Sequence, residues 1–152
     1  MHQAYRLSIF YFTLFALLLL TTGTFLFLSK IGLSIDDINN YYAGNAALFI
    51  NAKSSYGQLE TAVPHLGGMG LFIMVMGHFL LFASKKTKKS MHLTLILLFI
   101  TALLDIVSGF LISAGFYFFT WVKLSSFILL IGLALFLTLL IQKEAFLGFK
   151  NH

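Results

Sequence analysis

Three ionisable side chains fall inside apolar runs of this chain: His65, His78 and Asp105. Such groups are costly in a bilayer, so each is a candidate for chemistry. His65 and His78 share the stretch Glu60–Phe82, ETAVPHLGGMGLFIMVMGHFLLF, with four glycines and three methionines. Histidine there can ligate haem or a soft metal, and a buried carboxylate such as Asp105 can relay a proton or hold an ion. Glu60 and His92 stand at segment ends and are interfacial. Cysteine is absent, so any metal or haem falls to His, Met or carboxylate ligands.

Spacing limits these options. His65 and His78 are 13 residues apart, and at about 100° per residue they point to nearly opposite sides of a helix. This argues against two haems stacked in one bundle core. His78 shares its face with Gly67, Gly70, Met74 and Gly77, where a backbone or flat cofactor can come close. His65 shares its face with Met69, Phe72 and Met76. His65 and Met69 lie one turn apart and can hold Cu(I) or one axial side of a haem. Two bis-histidine haems need more ligands than His65, His78 and His92 supply, unless a second copy contributes. The expected site is therefore one b-type haem on His78 with His65 or His92, with His65 and Met69 as the metal candidates. The plain alternatives are hydrogen-bonded structural histidines and methionines that fill space.

Asp105 shares a helix face with Thr94, Thr101, Ser108, Gly109 and Ile112. A hydroxyl or histidine is its expected partner, and His65 is the histidine nearest in depth. A neutral Asp joining two helices is the plain alternative.

The elements that position these groups are membrane helices. Of the 152 residues, 59% are hydrophobic and 10% charged, where a soluble domain carries about 25% charged. Four apolar runs reach the ~20 residues that a bilayer core requires: 7–29, 62–84, 91–119 and 121–141. They are continuous rather than alternating, which excludes a β-barrel. The expected fold is all-α: an integral membrane antiparallel four-helix bundle forming one domain, residues 1–152. The first run is read as an uncleaved anchor. The outer loop 30–61 contains Ser34 and Asp37 in capping-box spacing. They predict a short cap helix from Ile35 to about Ala43, ended by Gly44, with Tyr41 and Tyr42 as interface residues. Thr61 is the expected N-cap of the second span, with Pro64 in its first turn. If that helix begins earlier, Pro64 falls inside it. The fourth span reads as scaffold.

The net charge of +5 comes from residues at segment ends, where they set topology rather than bind nucleic acid. Arg6, Lys85, Lys86, Lys88, Lys89, Lys143 and Lys150 fall on one side. Lys30, Lys53 and Lys123 fall on the other. This imbalance places both termini and the KKTKK segment in the cytoplasm.

Tyr41, Tyr42 and Gly44, then Leu59 and Glu60, His65, and Gly77 and His78 resemble a pattern in a family of small four-span bacterial membrane proteins. That pattern runs YYxG, LE, a His-x-His pair and Gly-His; Val63 replaces the first histidine of the pair here. The resemblance implies a bacterial inner-membrane location. Two well-spaced histidines on one membrane helix are also similar to b-type cytochrome membrane subunits.

The first functional expectation is a non-catalytic subunit of membrane electron transfer carrying haem b. The alternative is a cofactor-free structural or assembly subunit, whose partners are other membrane subunits or a second copy. A weaker alternative is proton-coupled transport around Asp105, although no inverted repeat is visible. No hydrolase nucleophile or nucleotide loop is present in the sequence.

Overall fold

A computed structural model describes residues 3–79 and 85–147. Five α-helices follow in order: α1 (Gln3–Lys30), α2 (Ile35–Ala43), α3 (Ser55–His78), α4 (Lys85–Ser113) and α5 (Phe119–Leu147). Four of them are long and apolar enough to cross a membrane, over Ala4–Lys30, Ser55–His78, Thr87–Ser113 and Phe119–Phe146. The chain is an all-α membrane helical bundle.

Side-chain contacts fix the helix directions. Near the ends of α1, Arg6 lies over the Phe146 ring and Phe27 stacks on Phe127, so α1 and α5 are antiparallel. Gln58 meets Ser113 and Gly77 approaches Leu95, so α3 and α4 are antiparallel. Phe12 stacks on Phe72 and Tyr5 meets Phe79 edge-on, which sets α1 against α3 in the same sense. The central pair is α4 with α5. Its seam is the α4 stripe Met91, Leu95, Leu98 and Ala102 against the α5 stripe Leu130, Ala134, Leu137 and Ile141. Each stripe carries one small residue, Ala102 and Ala134, among larger side chains, and a small residue lets the backbones approach. Exposed Phe15 and Phe25 of α1 and Phe136 and Leu139 of α5 suit hydrocarbon.

The cap helix α2 forms where the sequence predicts it. The Ser34 hydroxyl accepts from the Asp37 amide and the Asp37 carboxylate accepts from the Ser34 amide, completing the capping box. Gly44 ends the helix at φ 78°, and a Cβ there would lie 2.5 Å from the Ala52 amide nitrogen. Both facts call for glycine. The cap does not lie flat on a membrane surface. It docks on the ends of α4 and α5, burying Ile38 and Tyr42 against Ile112, with Phe119 and Leu124 packed around them. Tyr42 is thus a core residue, not a residue of an interface belt.

Three boundaries differ from expectation. α3 begins at Ser55, capped by Ser54, whose hydroxyl accepts from the Gly57 amide. Pro64 is therefore inside the helix, where it removes one backbone hydrogen bond. Thr61 is not a cap, and its hydroxyl donates to the Gly57 carbonyl instead. α4 starts at Lys85 and stops at Ser113, followed by Gly115 at φ 95°. Most of KKTKK is thus the first turn of a helix. Residues 80–84, at the end of the expected second span, and Lys150 in the tail lie outside the described residues.

Candidate functional site

The site is built from a four-residue rhythm on α4. Asp105, Gly109 and Ser113 fall on one face, and between them they meet α5, α2 and α3. Asp105 meets Lys123 of α5: Nζ lies 2.8 Å from Oδ2 and donates to the Asp105 backbone carbonyl at 2.8 Å. Both residues are buried. Gly109 takes the Tyr42 ring so closely that a Cβ there would sit 2.8 Å from Cε1. The Ser113 hydroxyl donates to the Tyr42 carbonyl at 3.0 Å and accepts from Gln58 Nε2 at 2.6 Å. The Tyr42 ring in turn lies 5.7 Å from Lys123 Nζ, within reach of a cation–π contact. One α4 face thus joins the cap helix α2, α3 and α5 through a single polar column.

Lys123 is the partner of Asp105, in place of the expected hydroxyl or histidine. A single buried charge would carry a large desolvation penalty, and pairing offsets part of it. The sequence treats Lys123 as a flanking charge because it stands only four residues inside α5. The signal that identifies it is the stripe it belongs to. Lys123, Ser126, Leu130, Ala134, Leu137 and Ile141 follow the three-and-four spacing of one buried face.

Beside this pair is a cavity of about 630 Å³ between the C-terminal half of α1 and the N-terminal half of α3. Leu20, Gly23 and Phe27 line it from α1, and His65, Gly68 and Met69 from α3. Asp105 and Lys123 contribute to its lining from α4 and α5, and Tyr41, Tyr42, Lys53 and Gln58 from the cap side. The Lys53 ammonium donates to the Tyr41 hydroxyl at 2.7 Å and to Thr61 Oγ1 at 3.1 Å. Two buried oxygens of the lining have no hydrogen-bond partner among the described residues, Asp105 Oδ1 and Gln58 Oε1.

Burial pushes the Tyr42 phenol well above the ordinary tyrosine range, and the Asp105 carboxylate and Tyr41 push it the same way. The folded state therefore keeps this proton above about pH 10, where an unfolded tyrosine releases it. The unfolded state is then the one with fewer protons, so stability falls as pH rises past that point. Alkaline unfolding followed by Trp121 fluorescence should show this slope in the wild type and a shallower one in Tyr42→Phe.

The structure separates the candidate histidines. His65 and Met69 line the cavity, as does Glu60 at its mouth. His78 and His92 are exposed on the chain and do not line it. Along α3, His78 stands 13 residues from His65, a rise of about 20 Å. Among the described residues, no group of three or more His, Cys, Asp or Glu gathers as a metal site. Among the described residues the glycine face of α3 meets no backbone: Gly67 and Gly70 have open space where a Cβ would stand.

A family model described as a transmembrane helical domain matches residues 32–151, from the cap through α5. No curated protein and no solved structure matches the chain.

Proposed function

We propose, for a chain that belongs to the Aq_1264_TM family of transmembrane helical domains, that it is a membrane-embedded binding subunit for a lipid-soluble small molecule. The molecule sits in the cavity between α1 and α3. The observation that carries this reading is the pairing of apolar walls with a few buried polar groups at one spot, the arrangement typical of ligand sites. Asp105 and Lys123 give the polar end, and Leu20, Phe27 and Met69 give the apolar walls. Pairing with Asp105 also removes Lys123 from the topology count, leaving Arg6 and the α4 and tail lysines against Lys30 and Lys53. This supports cytoplasmic termini in a bacterial inner membrane.

Filling the cavity tests the reading. Gly68 lines it, and a Cβ there meets nothing within 4 Å. Gly68→Phe should project into open space, and replacing a helical glycine favours the helix. Solvent extraction of the detergent-purified wild type, followed by mass spectrometry, should yield a stoichiometric lipid-soluble compound. Gly68→Phe should lose at least about 90% of it while keeping its helical circular dichroism and its monodisperse elution, as loss of site volume without loss of fold requires. Equal recovery from both proteins, or no stoichiometric compound in either, would end the reading.

A haem b in the same cavity is the second reading, favoured by His65 and Met69 both lining it. A reduced-minus-oxidised spectrum of the same preparation decides it. A b-type α-band that vanishes in His65→Ala makes haem the occupant; a flat spectrum eliminates haem.

A further inference from the structure

Two hydrogen-bond donors are left over where the cap meets the cavity. The Lys53 ammonium carries three N–H groups and gives two of them to the Tyr41 hydroxyl and to Thr61 Oγ1. The third has no partner among the described residues. The Tyr41 hydroxyl accepts from Lys53, and among the described residues its own O–H donates to nothing. Thr61, by contrast, gives its O–H to the Gly57 carbonyl. The two spare donors sit on Lys53 Nζ and Tyr41 Oη, atoms 2.7 Å apart. Both residues are only partly buried, and both line the cavity. A carboxylate has two oxygens that only accept, so a single one can take both donors. The Tyr41 ring centroid lies 4.9 Å from that of Tyr42, whose ring lies 5.7 Å from Lys123 Nζ. The spare donors therefore adjoin the Asp105–Lys123 pair, at the polar end of the cavity.

Charge selects the same class. Lys30, Lys53 and Lys123 line the cavity, against the carboxylates of Glu60 and Asp105. Asp105 and Lys123 balance each other. Lys30, Lys53 and Glu60 join no ion pair among the described residues, which leaves one positive charge in excess. A monoanion balances it. A phosphate monoester, at about −1.5 to −2 near pH 7, would overshoot it beside Glu60. Chain length follows from the walls. On α5 the lining runs from Lys123 to Ala134, a rise of about 16 Å. An extended chain advances about 1.2 Å per bond, so roughly 14 carbons fit along it.

We infer that the molecule in the cavity is a long-chain fatty acid, bound as its carboxylate, with the head on Lys53 and Tyr41 and the chain between α1 and α3. This deepens the binding reading above and rests on it. Lys53 and Tyr41 then set specificity for the head. Lys30, exposed at the end of α1, adds long-range attraction for an anion.

The test uses the full chain in nanodiscs of zwitterionic lipid at about pH 8.5, where a carboxyl is ionised and lysine keeps its proton. Binding of tritiated myristic acid is measured against empty discs. Unlabelled myristic acid, tetradecanol, methyl myristate and tetradecyl phosphate then compete for the site. The wild type should bind the label saturably, at about one molecule per chain. A hydrogen bond between charged groups corresponds to roughly tenfold or more in affinity, so the acid should displace the label at least about tenfold better than the alcohol or the ester. Lys53→Met should remove that preference, and Tyr41→Phe should reduce it severalfold. Gly68→Phe should abolish saturable binding. Equal displacement by acid, alcohol and ester would overturn the carboxylate head and leave the binding site standing. Tighter binding of the phosphate, or a preference unchanged in Lys53→Met, would overturn it as well. Saturable binding that survives Gly68→Phe would put the acid outside the cavity and end the inference. With no saturable myristate binding at all, the inference alone fails if solvent extraction yields another stoichiometric compound, and the reading beneath it fails too if extraction yields none. The wild-type comparison decides the matter even if Lys53→Met fails to fold.

Discussion

Lys123→Met should destabilise the protein by about 3–5 kcal/mol, because it leaves the Asp105 carboxylate buried without its partner. Asp105→Leu should cost a similar amount for the converse reason. The double variant should cost far less than the sum, since two apolar residues of similar volume often replace a buried pair at little loss. The loss falls on the central α4–α5 pair and therefore on the whole bundle. Reversible unfolding in a denaturing detergent, followed by Trp121 fluorescence, measures all four corners of this cycle. A Lys123→Met protein as stable as the wild type would show that the pair contributes nothing to the fold.

Gly109→Leu should be the second most damaging single change. Even a Cβ at this position would lie 2.8 Å from Cε1 and 3.2 Å from Cζ of the Tyr42 ring. The ring cannot move away freely, because Ser113 holds the Tyr42 carbonyl and the Lys123 ammonium lies beside the ring. Overpacking of this kind costs about 1–3 kcal/mol. Replacing a helical glycine returns at most about 1 kcal/mol, so destabilisation wins. The cap should loosen before the bundle does. Limited proteolysis of the 44–54 loop should accelerate severalfold in Gly109→Leu, and Tyr42→Leu in the same chain should restore protection by removing the ring.

The bundle was legible because its signal is repeated over many residues: four long apolar runs leave few alternatives to four membrane helices. The cap helix was legible for a local reason, the Ser34–Asp37 box and Gly44. The ends of α3 and α4 were not. Hydropathy weighs Ser55, Gln58 and Glu60 against a span, yet Ser54 caps the helix there and Gln58 finds Ser113. The chemistry was half legible. Asp105 stood out because it is an acid in an apolar run, and the face it shares with Thr94, Thr101 and Ser108 is buried. Its partner did not stand out, because a lysine near a helix end looks like a topology signal. The pairing depends on which faces of α4 and α5 meet, which is a tertiary fact. Tyr42 was misjudged for a related reason. An aromatic residue in an amphipathic cap suits a membrane interface, and only the glycine at 109 makes room for it in the core.

The link between α4 and α5 spans only residues 114–118, and the two charges that bracket it neutralise each other across the turn. During synthesis, α5 on its own would present a lone ammonium to lipid, and α4 on its own a lone carboxylate. Membrane entry is therefore favoured only when both helices move together, as a hairpin with its charges already matched. A ribosome-bound chain truncated before Lys123 should leave α4 only weakly committed to the bilayer, and release of the next few dozen residues should complete its insertion.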